Sequence, residues 1–381
     1  MGRQLLSDPT YPELGPFAGL AELAAAQRGL LPEVTPGPAL VVAIRDAIGV
    51  LDLTPVDARV QRRWVDGDLS GEEVSWSVGF GPRTHAYVLR PTAAPGPLPA
   101  VVALHCHAGA KWHGKEKIAD SPDIGDPEVG DLRAALYGGR AWANALARRG
   151  FVVLAHDVFC WGSRRMPLAA MPARVRGWAG DVIAASERRG EPLSTSGRYD
   201  VAAALHEATV AKLCGALGTS MAGVVAAEDL AAAEYLRGRA DVDADRVAGA
   251  GLSGGGCRAA LLGALDPGLA ATVVVAMMAS QQDLLAEGYV DRHTWMFQTP
   301  GLARVADWPD VAAARAPAPL LVQYAEHDEL FPAGGMRRAH ERIAGHYGDT
   351  GGYTGQVHAG PHAFTVSMQD AAFAWLADRL H

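Results

Sequence analysis

Gly251-Leu252-Ser253-Gly254-Gly255 is the stretch that decides how this chain is read. It follows a strand-like run, Arg246-Val247-Ala248-Gly249-Ala250, and precedes a helix-like run beginning near Cys257-Arg258-Ala259-Ala260-Leu261-Leu262. A serine at so sharp a strand-to-helix turn is held in a strained backbone conformation, with its hydroxyl projecting above the sheet. The residues two before and two after it must be small, because side chains there would collide; Gly251 and Gly255 meet that demand. The spacing alone recurs by chance roughly 0.2 times in a chain this rich in glycine, so the context carries the weight.

The context supplies an acid and a histidine further along. Pro319-Leu320-Leu321-Val322-Gln323-Tyr324 reads as a buried parallel strand, and it runs into Ala325-Glu326-His327-Asp328-Glu329. An acid just past a strand end lies at the carboxyl edge of the sheet, where open α/β sheets place their sites. Asp328 is the chosen partner, with Glu326 and Glu329 as competitors. A last strand candidate, Gly352 to His358, is followed by His362 in a turn ahead of a final helix, Ala371 to Leu380. His362 is the expected general base and His358 the runner-up. Such a histidine would take the serine proton during attack on a carbonyl and return it to the leaving group, while the acid fixes its tautomer.

The resulting oxyanion needs backbone N–H donors. Gly254, next after the serine, is one. The other is expected from the loop after the strand Pro99 to Leu104, most plausibly Gly109, with Ala108 as alternative. That loop, His105 to Lys117, holds three of the four lysines, Lys111, Lys115 and Lys117. They read either as a solvated loop or helix start, with Lys115 or Lys117 paired to Glu116 or Asp120, or as a basic rim for an anionic substrate. His105, His107 and His113 lack metal-site spacing, so no metal is expected, and His105 or His107 is assigned to shaping the loop.

The ordered set resembles the α/β-hydrolase superfamily, and within it the dienelactone hydrolase and acetyl xylan esterase-like branch. It is carried by Leu104-His105-Cys106-His107-Ala108-Gly109, Gly114-Lys115-Glu116, Ala155-His156-Asp157-Val158-Phe159, Gly162-Ser163-Arg164-Arg165, Asp241 to Val247 before the elbow, Ala264-Leu265-Asp266-Pro267, and the Asp328 and His362 segments. Ala108 and Ala110 stand where that branch usually has glycine, and Ala316-Pro317-Ala318-Pro319 replaces its usual Ala-Pro-Arg-Pro. The resemblance implies a mostly parallel central sheet flanked by helices. It implies a serine hydrolase cleaving a carboxylic ester through an acyl-serine, with no cofactor. The same triad could serve amide or thioester hydrolysis, acyl transfer, cyclisation or carbon–carbon cleavage, and a non-catalytic binding protein on this fold is the third reading.

Length and composition agree with that picture. The 381 residues, 49% hydrophobic and 20% charged, can bury a large core. A net charge of −8 argues against a general nucleic-acid surface, and no apolar run is long enough for a membrane span. Met1 to Asp8 lacks an apolar signal region, and Cys106, Cys160, Cys214 and Cys257 show no disulfide framework, so a cytoplasmic location is expected. Residues 1–70 are expected to form a helical extension beside or over the site, with helices over Phe17 to Gly29 and Ala39 to Ile48. Residues 71–381 form the catalytic domain, opened by a hairpin of Val74 to Phe80 and Thr84 to Arg90. Asp157 is expected to cap the loop after its strand. Insertions at about 159–200 and 281–312 are read as lid or pocket wall; Trp112, Trp161 and Trp295 are the substrate-contact candidates, with Met166 and Trp178 beside them. The expected partner is a small ester or acyl substrate, and a homodimer is allowed.

Overall fold

The structure, a computed structural model, describes residues 11–122 and 125–380. The expectation for Met1 to Asp8 lies outside them. Among the described residues, nine strands form one sheet: β1 (Val56–Asp66), β2 (Leu69–Ser77), β3 (Thr84–Pro91), β4 (Leu98–Leu104), β5 (Val152–His156), β6 (Val242–Leu252), β7 (Ala271–Val275), β8 (Leu320–Ala325) and β9 (Tyr353–His358). Their spatial order is β1-β2-β3-β5-β4-β6-β7-β8-β9. The β1–β2, β2–β3 and β3–β5 pairs are antiparallel, and every pair from β5 across to β9 is parallel.

The central strands are apolar on both faces, as parallel strands covered by helices must be. Ala100, Val102 and Leu104 of β4 join one core; Val101 and Ala103 join the other. The same alternation splits Val152 and Leu154 from Val153 and Ala155 in β5. The first core is closed by helices Pro38–Ile48, Met221–Arg237, Gly254–Leu265 and Ala333–Tyr347; the second by Pro127–Tyr137, Trp142–Ala147 and Val366–Leu380.

The N-terminal boundary needs correction. Helices Gly19–Arg28 and Pro38–Ile48 fall where expected, but Val56–Asp66 is the edge strand of the sheet, so the helical extension ends well before residue 70. That strand has no apolar alternation to read: Val56, Val60 and Val65 face solvent, and Arg62 and Arg63 pair with Glu73 and Glu72 of β2. Among the described residues, none of the extension lines the cleft. Its main chain bonds Tyr11 to Ala286 and Leu31 to Ala303, bracing the 281–312 insertion, and Gly37 to Ala314 just beyond it. Among the described residues, no single helix is long and apolar enough to cross a membrane; helices Thr195–Ala216 and Met221–Arg237 pass that test only as a pair bent by 82°.

Candidate active site

Ser253 terminates β6 with φ 57° and ψ −120°, a conformation that costs an L-residue of order 1–3 kcal/mol. Its N–H donates to Val275 O at 2.9 Å, which ties the turn to β7. The glycines are sterically required. A Cβ on Gly255 would stand 2.1 Å from Leu104 O, and one on Gly251 would stand 2.4 Å from the Gly255 carbonyl. A Cβ on Gly254 would meet the backbone nitrogen of His107 at 2.7 Å, so the loop after β4 lies directly against the residue that follows Ser253.

The acid and histidine segments come together as expected. Asp328 Oδ2 lies 2.7 Å from His362 Nδ1, and Asp328 Oδ1 accepts the Leu330 N–H at 2.9 Å. Both side chains are buried, and Phe331 stacks on the imidazole. Glu326 and Glu329 point to solvent, while His358 lies beside Gln356 at the end of β9. With Nδ1 committed to Asp328, Nε2 of His362 is left to face the cleft that Ser253 also lines.

The loop after β4 has the expected Lys115–Glu116 pair at a helix start, but its lysines are not solvated. Lys111, Lys115 and Lys117 are all buried. Lys115 Nζ bridges Glu116 (2.7 Å) and Asp157 (3.0 Å). Asp157 also accepts the N–H groups of Lys115 and Ser163, which is the expected cap on the loop after β5. Lys117 donates to the carbonyls of Cys106 and His107, each at 3.0 Å, and burial brings its ammonium down to about 8. Lys111 pairs with Glu207 at 2.5 Å, and the N–H groups of Lys111 and Trp112 donate to Asp200. The lysines are therefore internal struts, and no basic rim exists here.

Three contact and donor expectations change. Gly109 donates its N–H to His107 Nδ1 at 3.0 Å, so that donor is already spent; the N–H packed against Gly254 is that of His107. Trp161 is 1% exposed and presents its ring edge to His107 from behind, with Lys111 Nζ 4.9 Å from its ring centre. Trp112 packs on Tyr199 under the Arg165 guanidinium, away from the cleft. Trp295 does line the cleft. Met166 and Trp178 do not, and no residue of 159–200 does.

The cleft has a volume of about 820 Å³, within the range of small-molecule sites. One wall is Leu132, Ala135 and Leu136 of helix Pro127–Tyr137; another is Ala204, Glu207 and Ala208 of helix Thr195–Ala216. The 291–297 stretch supplies the third, including His293, Trp295 and Phe297. Cys106 and Cys257 sit at the floor as buried filler, and burial pushes the Cys257 thiol up. Beneath the elbow, Arg258 pairs with Asp229 at 2.7 Å and donates to His105 O, while Asp229 also meets His156. His105, His107 and His113 do not converge on a shared point: His105 Nδ1 meets Cys106 O, His107 meets Glu207, and His113 faces Asp126. The last pair has Glu128 nearby, all ligand atoms lying within 4.8 Å of one another.

Glu207, Arg258 and the helix Pro127–Tyr137 were not foreseen from sequence. Asp126-Pro127-Glu128 does carry a helix-start signal, an N-cap aspartate followed by proline. Glu207 carries none, because a lone acid on an Ala-rich helix looks like any solvated position.

A parallel sheet with an antiparallel edge, a serine on a strained strand-to-helix turn, and an acid–histidine pair on the last two strand ends make up the α/β-hydrolase fold. No family model matches the chain. Over 284 residues it is 26% identical to a Bacillus subtilis (strain 168) protein named "Putative hydrolase YtaP", covering 74% of this chain and 75% of that one. A glucuronoyl esterase from Solibacter usitatus superposes with a TM-score of 0.59 at 13% identity, over 90% of this chain and 92% of the other. Acetyl xylan esterase 1 from Thermoanaerobacterium sp. JW/SL YS485 gives 0.54 at 15% identity, over 93% and 98%.

Proposed function

We propose that this protein is a serine hydrolase that cleaves a carboxylic ester through an acyl-serine intermediate. The observation that carries the reading is the buried 2.7 Å His362–Asp328 pair opening onto the same cleft as a serine held at φ 57°. His362 Nε2 accepts the Ser253 proton as the hydroxyl attacks, and delivers it to the departing alkoxide. Asp328 holds the Nε2-accepting tautomer and stabilises the imidazolium. The backbone N–H groups of Gly254 and His107 receive the oxyanion, a role that supersedes Gly109. Water then releases the acid by the reverse sequence.

Two further points support the reading. The neighbours by fold include a glucuronoyl esterase and an acetyl xylan esterase, both named for ester chemistry. The cleft walls are largely apolar, with Trp295 placed to meet an acyl or alcohol group. The four free, buried cysteines support a reducing compartment, and with it a cytoplasmic location, as part of this reading. Steady-state hydrolysis of p-nitrophenyl acetate and butyrate tests the assignment. Turnover by the wild type, lowered at least about 10³-fold in both Ser253→Ala and His362→Ala, is expected. Equal turnover in Ser253→Ala would overturn it.

A further inference from the structure

Glu207 lies one wall away from Ser253, and its two carboxylate oxygens gather four donors from two other parts of the chain. Oε2 meets His107 Nε2 at 2.9 Å and the Lys111 ammonium at 2.5 Å, both on the loop after β4. Oε1 accepts the Thr294 hydroxyl at 2.5 Å and the Trp295 N–H at 3.0 Å, both on the 281–312 insertion. Glu207 itself belongs to helix Thr195–Ala216. The His107 ring continues the chain of bonds: because Gly109 N–H donates to Nδ1, the imidazole proton must sit on Nε2 and point at Glu207. The backbone N–H of that same residue packs against Gly254.

We infer that Glu207 is a positioning residue that fixes the His107 backbone N–H as an oxyanion donor and locks the Trp295 wall to it. The inference rests on the hydrolase reading and goes beyond it. A buried carboxylate with every lone pair engaged is rigid, and a buried charge is tolerated only when so compensated. Misplacing a transition-state donor by about 1 Å costs on the order of 10²-fold in rate. The oxyanion exists only after attack, so the loss falls on kcat and spares substrate binding. The insertion side of the clamp acts differently, since Trp295 meets substrate before reaction.

Glu207→Gln offers one acceptor oxygen where two faced four donors. The test is kcat and KM on p-nitrophenyl acetate for wild type, Glu207→Gln, His107→Ala and the double variant, with Thr294→Val alongside. Glu207→Gln and His107→Ala should each lower kcat about 10- to 100-fold with KM within about threefold, and the double should be no worse than the poorer single. Thr294→Val should raise KM more than it lowers kcat. Full kcat in folded Glu207→Gln, or multiplicative losses in the double, would overturn the inference. If Glu207→Gln does not fold, His107→Ala decides: full kcat there overturns it, and a selective kcat loss sustains it. A wild type inert toward every ester would sink the hydrolase reading instead. The clamp is then read by the ¹⁵N shifts of His107, which should report a neutral Nε2–H tautomer in the wild type; an Nδ1–H tautomer there would refute it.

Discussion

Ser253 holds its conformation because its neighbours have no side chains, and that makes the elbow testable one atom at a time. Gly255→Ala places a methyl 2.1 Å from Leu104 O, a backbone atom that cannot swing away. We expect it to destabilise the fold by about 1–3 kcal/mol, read as a shifted urea midpoint; a neutral effect would mean the turn is looser than described. The choice of acid is equally local. Asp328→Asn should cut kcat about 10⁴-fold by imposing the wrong histidine tautomer, while Glu326→Gln, whose carboxylate faces solvent, should retain near-wild-type activity. The reverse ranking would move the acid. At this scale chain order and strand ends single out Ser253, Asp328 and His362 without any distance, and the structure brings Asp328 against His362 beside the cleft that Ser253 lines. Gly109 was misjudged for the opposite reason: whether a loop N–H is free or spent depends on where the next ring turns, and His107 turns onto it.

At the scale of elements, the buried parallel strands nearest the site were readable as apolar runs: β4 and β8 lie within a residue of their expected spans, while β6 starts four residues early. β1 was not readable, since an edge strand with arginines on one partner and solvent on the other keeps no period of two. The pocket walls were also misplaced. Trp161 and Trp112 are aromatic residues near the site in sequence, but their rings pack behind the loop after β4. The helices that do form the walls present alanine and leucine, which carry no functional signature. Helix Pro38–Ile48 gives a test of integration: Ile44 and Ile48 are buried in the first core, so Ile44→Ala should cost about 2–5 kcal/mol in unfolding free energy. A change under about 0.5 kcal/mol would mean that this helix is an appendage.

For the molecule as a whole, buried charge sets how stability responds to pH. Burial would raise Glu207, yet the His107 bond and the Lys111 charge outweigh it and hold the carboxyl well below its usual range. Asp157 and Asp229 are likewise held low against their burial by Lys115 and Arg258. Groups depressed in the folded state bind fewer protons than in the unfolded chain, so their stabilisation is complete above the ordinary carboxylate range and is lost as pH falls through it. Lys117 has the opposite chemistry with the same sign of slope. Its folded value of about 8 lies below the ordinary lysine value of 10.5, so the unfolded chain binds more protons between those limits and stability rises with pH there. Lys117→Met should lack that slope, a difference of up to about 3 kcal/mol across the window. Parallel urea-midpoint curves for the two proteins between pH 8 and 10.5 would refute a buried, charged Lys117. None of these struts could be read from the lysine cluster, because sequence shows that three cations share a loop and not that carboxylates from β5 and a distant helix meet them.

The central claim is that Ser253 is an activated nucleophile, and intact mass after treatment with a fluorophosphonate probe tests it most directly. A single covalent adduct is expected on the wild type and none on Ser253→Ala. An unlabelled, well-folded wild type, or an adduct that persists in Ser253→Ala, would contradict it.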